Sequence, residues 1–438
     1  MKKKLLLIAL AVMGFIAGCK KDEDPIFDDP DTRLSAELAK DQALLIAPAD
    51  GWKATIYPKG GKGFSFYFKF NAESKVVMMA DINATAASTP QTSTYRLKAL
   101  QRPTLIFDTY NYIHLIADPD GSISGGTNAT GLQSDFEFAF AGISGDTVKF
   151  EGTFYGNKMD MVKLKTPEAT GILGGGLKTI LTDAATAVNG KILYVMLDGK
   201  QVPISLSISG KSINIAGQSS SPFAFNLEGL TLKNTITYGT YKFDKVYWDA
   251  AGKFFYLMNG TTKIKVEISP APLPLDVNPL LHTEIFTRWT SMRVNVPDLG
   301  DLSADFLAKY NAANTSLGTL GNAGRYIEYI TILFNSNNTV TFQIRYRNPS
   351  SPTSFFLADF IYNMNLDNTT GIAKFTLAAT PAGNAATIRT YVTALTDYFA
   401  NNRFKIAYIS AAAPSGSKVG GFLSQDNPAS FFYGTLLQ

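Results

Sequence analysis

Two histidines, His114 in "YIHLIAD" and His282 in "LLHTEI", are the only imidazoles in a chain of 438 residues. Imidazole is the usual neutral-pH base and a common metal ligand, so these positions bound much of the chemistry available. A zinc site needs three or four His, Cys or carboxylate donors. There is no HExxH and no second cysteine to supply them, and neither metal nor cofactor is expected. A Ser-His-Asp triad needs its members only to meet in space, yet no GxSxG accompanies either histidine. His114 lies between Ile113 and Leu115 and His282 follows Leu281, the setting of packed core residues.

Among carboxylates, Asp118 and Asp120 in "DPDGSISGG" stand close enough to face a Ca²⁺ ion, but the glycine offset is not that of an EF-hand loop and an ordinary turn is expected. Asp135 and Glu137 share the polar face of one predicted strand, where solvent accounts for them. A glycosidase pair is defined by its separation in the fold, not by sequence spacing. "GILGGGLKT" at 171–179 imitates a phosphate loop without its Gly-Lys junction, and reads as the turn into a helix. Trp52, Trp248 and Trp289 are candidate stacking platforms for sugar or peptide, with a core or rim position as the competing reading. No catalytic residue is assigned.

The single cysteine carries the strongest signal. Lys2, Lys3 and Lys4 precede an apolar run from Leu5 to Ile16, too short to span a bilayer and typical of a secretory signal. The run ends in Ile16-Ala17-Gly18-Cys19, which resembles the bacterial lipobox. The resemblance implies diacylglycerol on the Cys19 thiol, cleavage before it, acylation of the new amine, and anchoring to a membrane by lipid. The following Lys20-Lys21-Asp22-Glu23-Asp24 and the acids to Asp31 form a charged, proline-containing tether. They also resemble the surface-export signal of Bacteroidota lipoproteins. Outer-membrane attachment facing the outside is expected, with the periplasmic leaflet as the alternative.

Loss of the signal removes three lysines, so the formal charge falls from +4 to +1 and no footprint for nucleic acid remains. With 12% aromatic and 17% charged residues, the chain must be stabilised by apolar cores. The elements that position the candidates have period two. "FSFYFKF", "DFEFAF", "KIKVEI" and "TVTFQIRYR" alternate apolar and polar residues, as strands with one buried and one wet face do. Turn chemistry such as "LDGK" at 197–200 and "NSNN" at 335–338 joins them into hairpins. Helical spacing is confined to "DTRLSAELAKDQALLI", capped at Asp31 or Thr32, "GLKTILTDAATAV", "LSADFLAKYNAAN" and "NAATIRTYVTALTDYFANN".

The expected fold is mainly β with a few helices, in antiparallel meander, barrel-like or sandwich units, each preceded by a short amphipathic helix. The units are a signal peptide 1–18, an acidic tether 19–30, β-rich domains 31–167 and 168–269, and a C-terminal α+β domain 280–438. "SPAPLPLDVNP" at 269–279 serves as linker. The first two units close alike, in "FYGNKMDMVKLKTPEA" and "LMNGTTKIKVEISPAP", so duplication and coincidence both stay open.

"GWKATIYPKGGKGFSFYFKF", "TSTYRLKALQRPTLIFDTYNYIHLIADPD", "SDFEFAF" and "FFYGTL" resemble the Bacteroidota lipoproteins grouped as domain of unknown function 4302. That resemblance implies a role beside a TonB-dependent channel and its lid-like lipoprotein, often with a zinc metallohydrolase lipoprotein encoded nearby. It supplies no binding or catalytic residues. The leading expectation is a non-catalytic surface protein that binds glycan or peptide for nutrient uptake. A surface hydrolase and a structural or adhesive protein are the alternatives.

Overall fold

The alternating phenylalanines of "FSFYFKF" form one stave of a closed ring. The computed structural model describes residues 30–275, 277, 280–296, 302–411 and 417–438. Cys19 and the tether up to residue 29 lie outside the described residues. The chain is mostly β, with 46% of residues in strands and 20% in helices. Helix α1 (Pro30–Ile46) begins before the expected caps Asp31 and Thr32. Proline is accommodated in a first turn, and Asp31 there meets the positive end of the helix dipole.

The first ring is β1 (Trp52–Ile56), β2 (Phe64–Phe70), β3 (Lys75–Ala80), β4 (Gln91–Ala99), β5 (Pro103–Phe107), β6 (Glu137–Ser144), β7 (Thr147–Gly152) and β8 (Lys158–Lys163). Helices α2 (Tyr112–Ala117) and α3 (Gly121–Ser124) sit between β5 and β6. Because β1 pairs with both β2 and β8, all eight strands close on themselves in sequence order. Aromatic rings fill the inside, Phe68 lying 5.4 Å from Phe66 and 5.2 Å from Phe107. Trp52 is fully buried among them and donates from Nε1 to the Leu45 carbonyl at 2.8 Å, which fastens α1 to the ring. The outer face of β2 is wet only at Lys69, contrary to its alternation. Tyr67 is buried against Leu164, Ala169 and Ile172, because the next helix covers that face.

That helix is α4 (Thr166–Leu173). Gly175, at φ +84°, turns it into α5 (Gly176–Val188), so "GILGGGLKT" is a helix junction. The second ring follows: β9 (Ile192–Leu197), β10 (Lys200–Ser207), β11 (Ser212–Ile215), β12 (Ser221–Asn226), β13 (Gly229–Tyr238), β14 (Tyr241–Asp249), β15 (Phe254–Asn259), β16 (Thr262–Lys265) and β17 (Glu267–Ser269). Asp198 and Gly199, both at positive φ, make the two-residue hairpin between β9 and β10. This nine-stranded sheet is curled into a barrel-like ring whose two end strands, β16 and β17, meet through the chain and not through a ladder. β16 pairs with β15, and beyond Val266 the chain continues as β17 against β9. The handover leaves Ile268 54% exposed, although the alternation of "KIKVEI" places it inside.

The linker supplies β18 (Pro274–Leu275), which adds to one end of β24, and is followed by α6 (Leu281–Glu284). The third ring is β19 (Ser291–Val294), β20 (Tyr326–Asn335), β21 (Thr339–Asn348), β22 (Ser351–Asp367), β23 (Ile372–Leu377), β24 (Arg403–Ile409), β25 (Val419–Ser424) and β26 (Phe431–Leu437). The β24–β25 and β19–β26 ladders close it, again in sequence order. Here helix α7 (Ala304–Leu317), capped by Ser303, enters after the first strand. The helix expected over 384–402 is two, α8 (Gly383–Ile388) and α9 (Thr393–Asn401), broken between them. Ile388, Val392, Leu395 and Phe399 nevertheless all reach the core.

Rings one and two are joined by a buried ion pair. Asp81 and Lys211 contact at 2.7 Å with side chains 0% and 5% exposed. Asp81 also accepts from the Ser65 amide at 2.9 Å and the Phe225 amide at 2.7 Å. Lys211 donates to the Gly63 carbonyl at 2.9 Å and lies over the Phe64 ring. Burial pushes the Lys211 ammonium down to about 8, with Asp81 opposing.

Candidate functional site

Rings two and three meet differently. On β10 the period of two sends Val202 and Ile204 inward and leaves Ser205 and Ser207 exposed. Those hydroxyls form one wall of a groove of about 610 Å³. The end of β24 with Leu275 and Lys418 forms the other. A second compartment of about 350 Å³ shares Gly217, Leu275, Ile409, Ala411 and Lys418 with it, so the two adjoin. Both volumes fall in the range of small-molecule sites.

The second compartment holds the groove's only carboxylate among the described lining residues, Glu284. Arg288 Nη1 donates to its Oε1 at 2.9 Å and the Tyr408 hydroxyl donates to its Oε2. Trp289 Nε1 donates in turn to the Tyr408 oxygen at 2.7 Å. Burial opposes ionisation of Glu284, but these donors outweigh it and hold the carboxyl below its usual range. Burial, and then the bond to Glu284, push Tyr408 up to about 12. At neutral pH the carboxylate is ionised and the phenol neutral, so neither is poised to exchange protons. Arg288, with a side chain 47% exposed, stays accessible from the groove.

The predicted chemical residues do not converge here. His114 lies in the first ring as the third residue of α2. Its Nδ1 accepts from the Asn111 amide at 3.1 Å and its Nε2 bonds the Phe107 carbonyl at 3.2 Å, completing a capping box. Burial holds its pKa below the ordinary histidine value. His282 does line a cavity, of about 380 Å³, with Thr369, Thr370 and Lys405. Its Nε2 is bonded to the Asn368 carbonyl at 3.0 Å and its Nδ1 packs closely on Gly371. Among the described residues, no hydroxyl or carboxylate bonds it as a nucleophile or orienting group would.

Asp120 caps α3 and Asp118 accepts from the Asp120 amide at 2.8 Å, so "DPDG" is a turn. Among the described residues, no group of three metal-ligating side chains is assembled. Asp135 lies before β6 and is not solvated as its spacing implies. Its oxygens accept from the amides of Phe154, Tyr155 and Asn157 and from Asn157 Nδ2, which fixes a loop and leaves no partner role for Glu137. Trp52, Trp248 and Trp289 are all buried, in agreement with the core reading. The exposed aromatics among the described residues are Tyr110, Phe136, Phe154 and, in the third ring, Phe355, the first two flanking the His114 ring. Phe136 falls just outside β6, which is why its place in the "DFEFAF" alternation misleads.

The groove and the three antiparallel rings define a β-barrel protein whose prominent concave site lies between barrels. A family described as "Domain of unknown function (DUF4302)" matches residues 23–250, more than half of the chain, and the chain belongs to that family. The match ends beside β14 and so includes the β10 wall of the groove but not the β24 wall. No curated protein matches the chain.

Proposed function

We propose that the protein is a lipid-anchored, non-catalytic ligand-binding accessory of an outer-membrane nutrient uptake system. The observation that carries this reading is the groove between rings two and three. It offers hydroxyls, amides and cations, and its only described carboxylate is already bound by Arg288 and Tyr408. Such a surface recognises a polar ligand without a base or nucleophile to transform it. The Ile16-Ala17-Gly18-Cys19 pattern supports the lipid anchor, and the charged tether supports display outside the cell beside a TonB-dependent channel and its lid. The intervals 31–167, 168–269 and 280–438 each contain one ring, which supports dividing the chain there.

The test is a screen of glycans and peptides against the chain from residue 30 onward, with product analysis over hours. Binding without turnover is expected, and His282→Ala retains it. Product that disappears in folded His282→Ala would make the protein a hydrolase. Cys19→Ala is expected to abolish detergent-phase partitioning of the full chain, and retained partitioning would refute the anchor.

A further inference from the structure

We infer that the groove between rings two and three takes an acidic oligosaccharide, its carboxylates held by Lys191 and Lys418; this rests on the binding reading above. The groove is cationic. Its described charged residues are Lys191, Lys418, Arg288 and Glu284, and the last two neutralise each other at 2.9 Å. Lys191 and Lys418 remain. Both are exposed and neither ammonium has an ion-pair partner among the described residues; what sets them apart from equally unpaired Lys200, Lys242 and Lys245 is their place in the groove lining. Cations in a concave, low-dielectric wall focus a positive potential on whatever enters.

The rest of the lining selects the carrier of that negative charge. Ser205, Ser207, Ser209 and Ser220 are exposed, with Asn214 and Ser410 half-buried beside them. Hydroxyls and amides both donate and accept, as the vicinal hydroxyls of a sugar require. Half-buried Leu206 and Leu275 give the C–H face of a sugar ring an apolar surface. An extended peptide would instead seek a free strand edge. β9 pairs with Lys200 to Ile204 of β10 and β11 with Ile204 to Ser207, so the only edge β10 leaves open along the groove is the three residues Ser205 to Ser207, too short to seat an added strand.

The experiment is calorimetry on the full chain in detergent with three probes: tetragalacturonate, its methyl ester and a tetraglutamate peptide. Tetragalacturonate is expected to bind about tenfold more tightly than the ester, and to weaken as salt is raised from about 50 to 500 mM. Lys191→Ala and Lys418→Ala are each expected to weaken it roughly five- to tenfold, while Lys75→Ala in the first ring leaves it unchanged. Equal affinity for acid and ester, parental affinity in both groove variants, or equal affinity for tetraglutamate would overturn the inference. So would failure of all three probes, and binding of a neutral glycan in the wider screen would then leave the binding reading intact. Release of shorter galacturonates would overturn that reading instead.

Discussion

The seam between rings one and two and the seam between rings two and three solve the same packing problem in opposite ways. The first excludes water and ties Asp81 to Lys211 and to two amides from different rings. A charge buried there is tolerable only while every partner is present. The second leaves β10 hydroxyls facing a groove in which water satisfies them. A ligand that replaces this water exchanges one set of hydrogen bonds for another, at small cost. The contrast separates a fixed joint from an exchangeable surface within one chain, and it locates binding at the second seam.

Breaking the dry seam gives the largest effect. Asp81→Ala strands a buried ammonium and is expected to cost about 3 to 5 kcal/mol in urea unfolding. The double replacement Asp81→Leu, Lys211→Met removes the stranded charge but leaves the Ser65 and Phe225 amides without their acceptor, so it is expected to recover only part of that. A loss below about 1 kcal/mol in the single variant would make the pair incidental. At the second seam, Tyr408→Phe removes the hydroxyl between Trp289 and Glu284 and is expected to cost about 1 to 3 kcal/mol. The same unfolding curves read it, and a neutral result would show that water replaces the hydroxyl.

The smallest effect concerns pH and lies away from both seams. Burial lowers the folded pKa of His114, so below its ordinary value of about 6.5 the unfolded chain binds more protons and stability falls as pH falls. Gln at this helix position preserves a capping box. His114→Gln is therefore expected to flatten the dependence of the melting temperature on pH between about pH 7 and pH 5. An unchanged slope would assign the acid sensitivity elsewhere.

Local features were legible where one element decides them. Helix α5 occupies the "GLKTILTDAATAV" stretch, and Val340, Phe342, Ile344 and Tyr346 all point inward as their alternation requires. Closure was not legible, because the β1–β8 ladder joins segments distant in sequence and the β16–β17 handover at Val266 breaks a regular alternation. Asp81 and Lys211 stand in turn-like "ADIN" and "SGKS", and the Phe225 amide that Asp81 accepts from is 144 positions away. Nothing near either residue marks it as buried. The groove was hidden for the same reason, its walls coming from β10 and β24, while the motifs that attracted chemical interest became caps, turns and core.

Hydrogen exchange of the full chain with and without the tightest-binding compound of the screen tests the central claim most directly. The account predicts slowed exchange at the amides of Ser205 to Ser209, Ser410 and Lys418, with Ser65 and Phe225 at the dry seam unchanged. Slowed exchange confined to the first ring around Tyr110, Phe136 and Phe154 would contradict it and move the binding site to that aromatic surface.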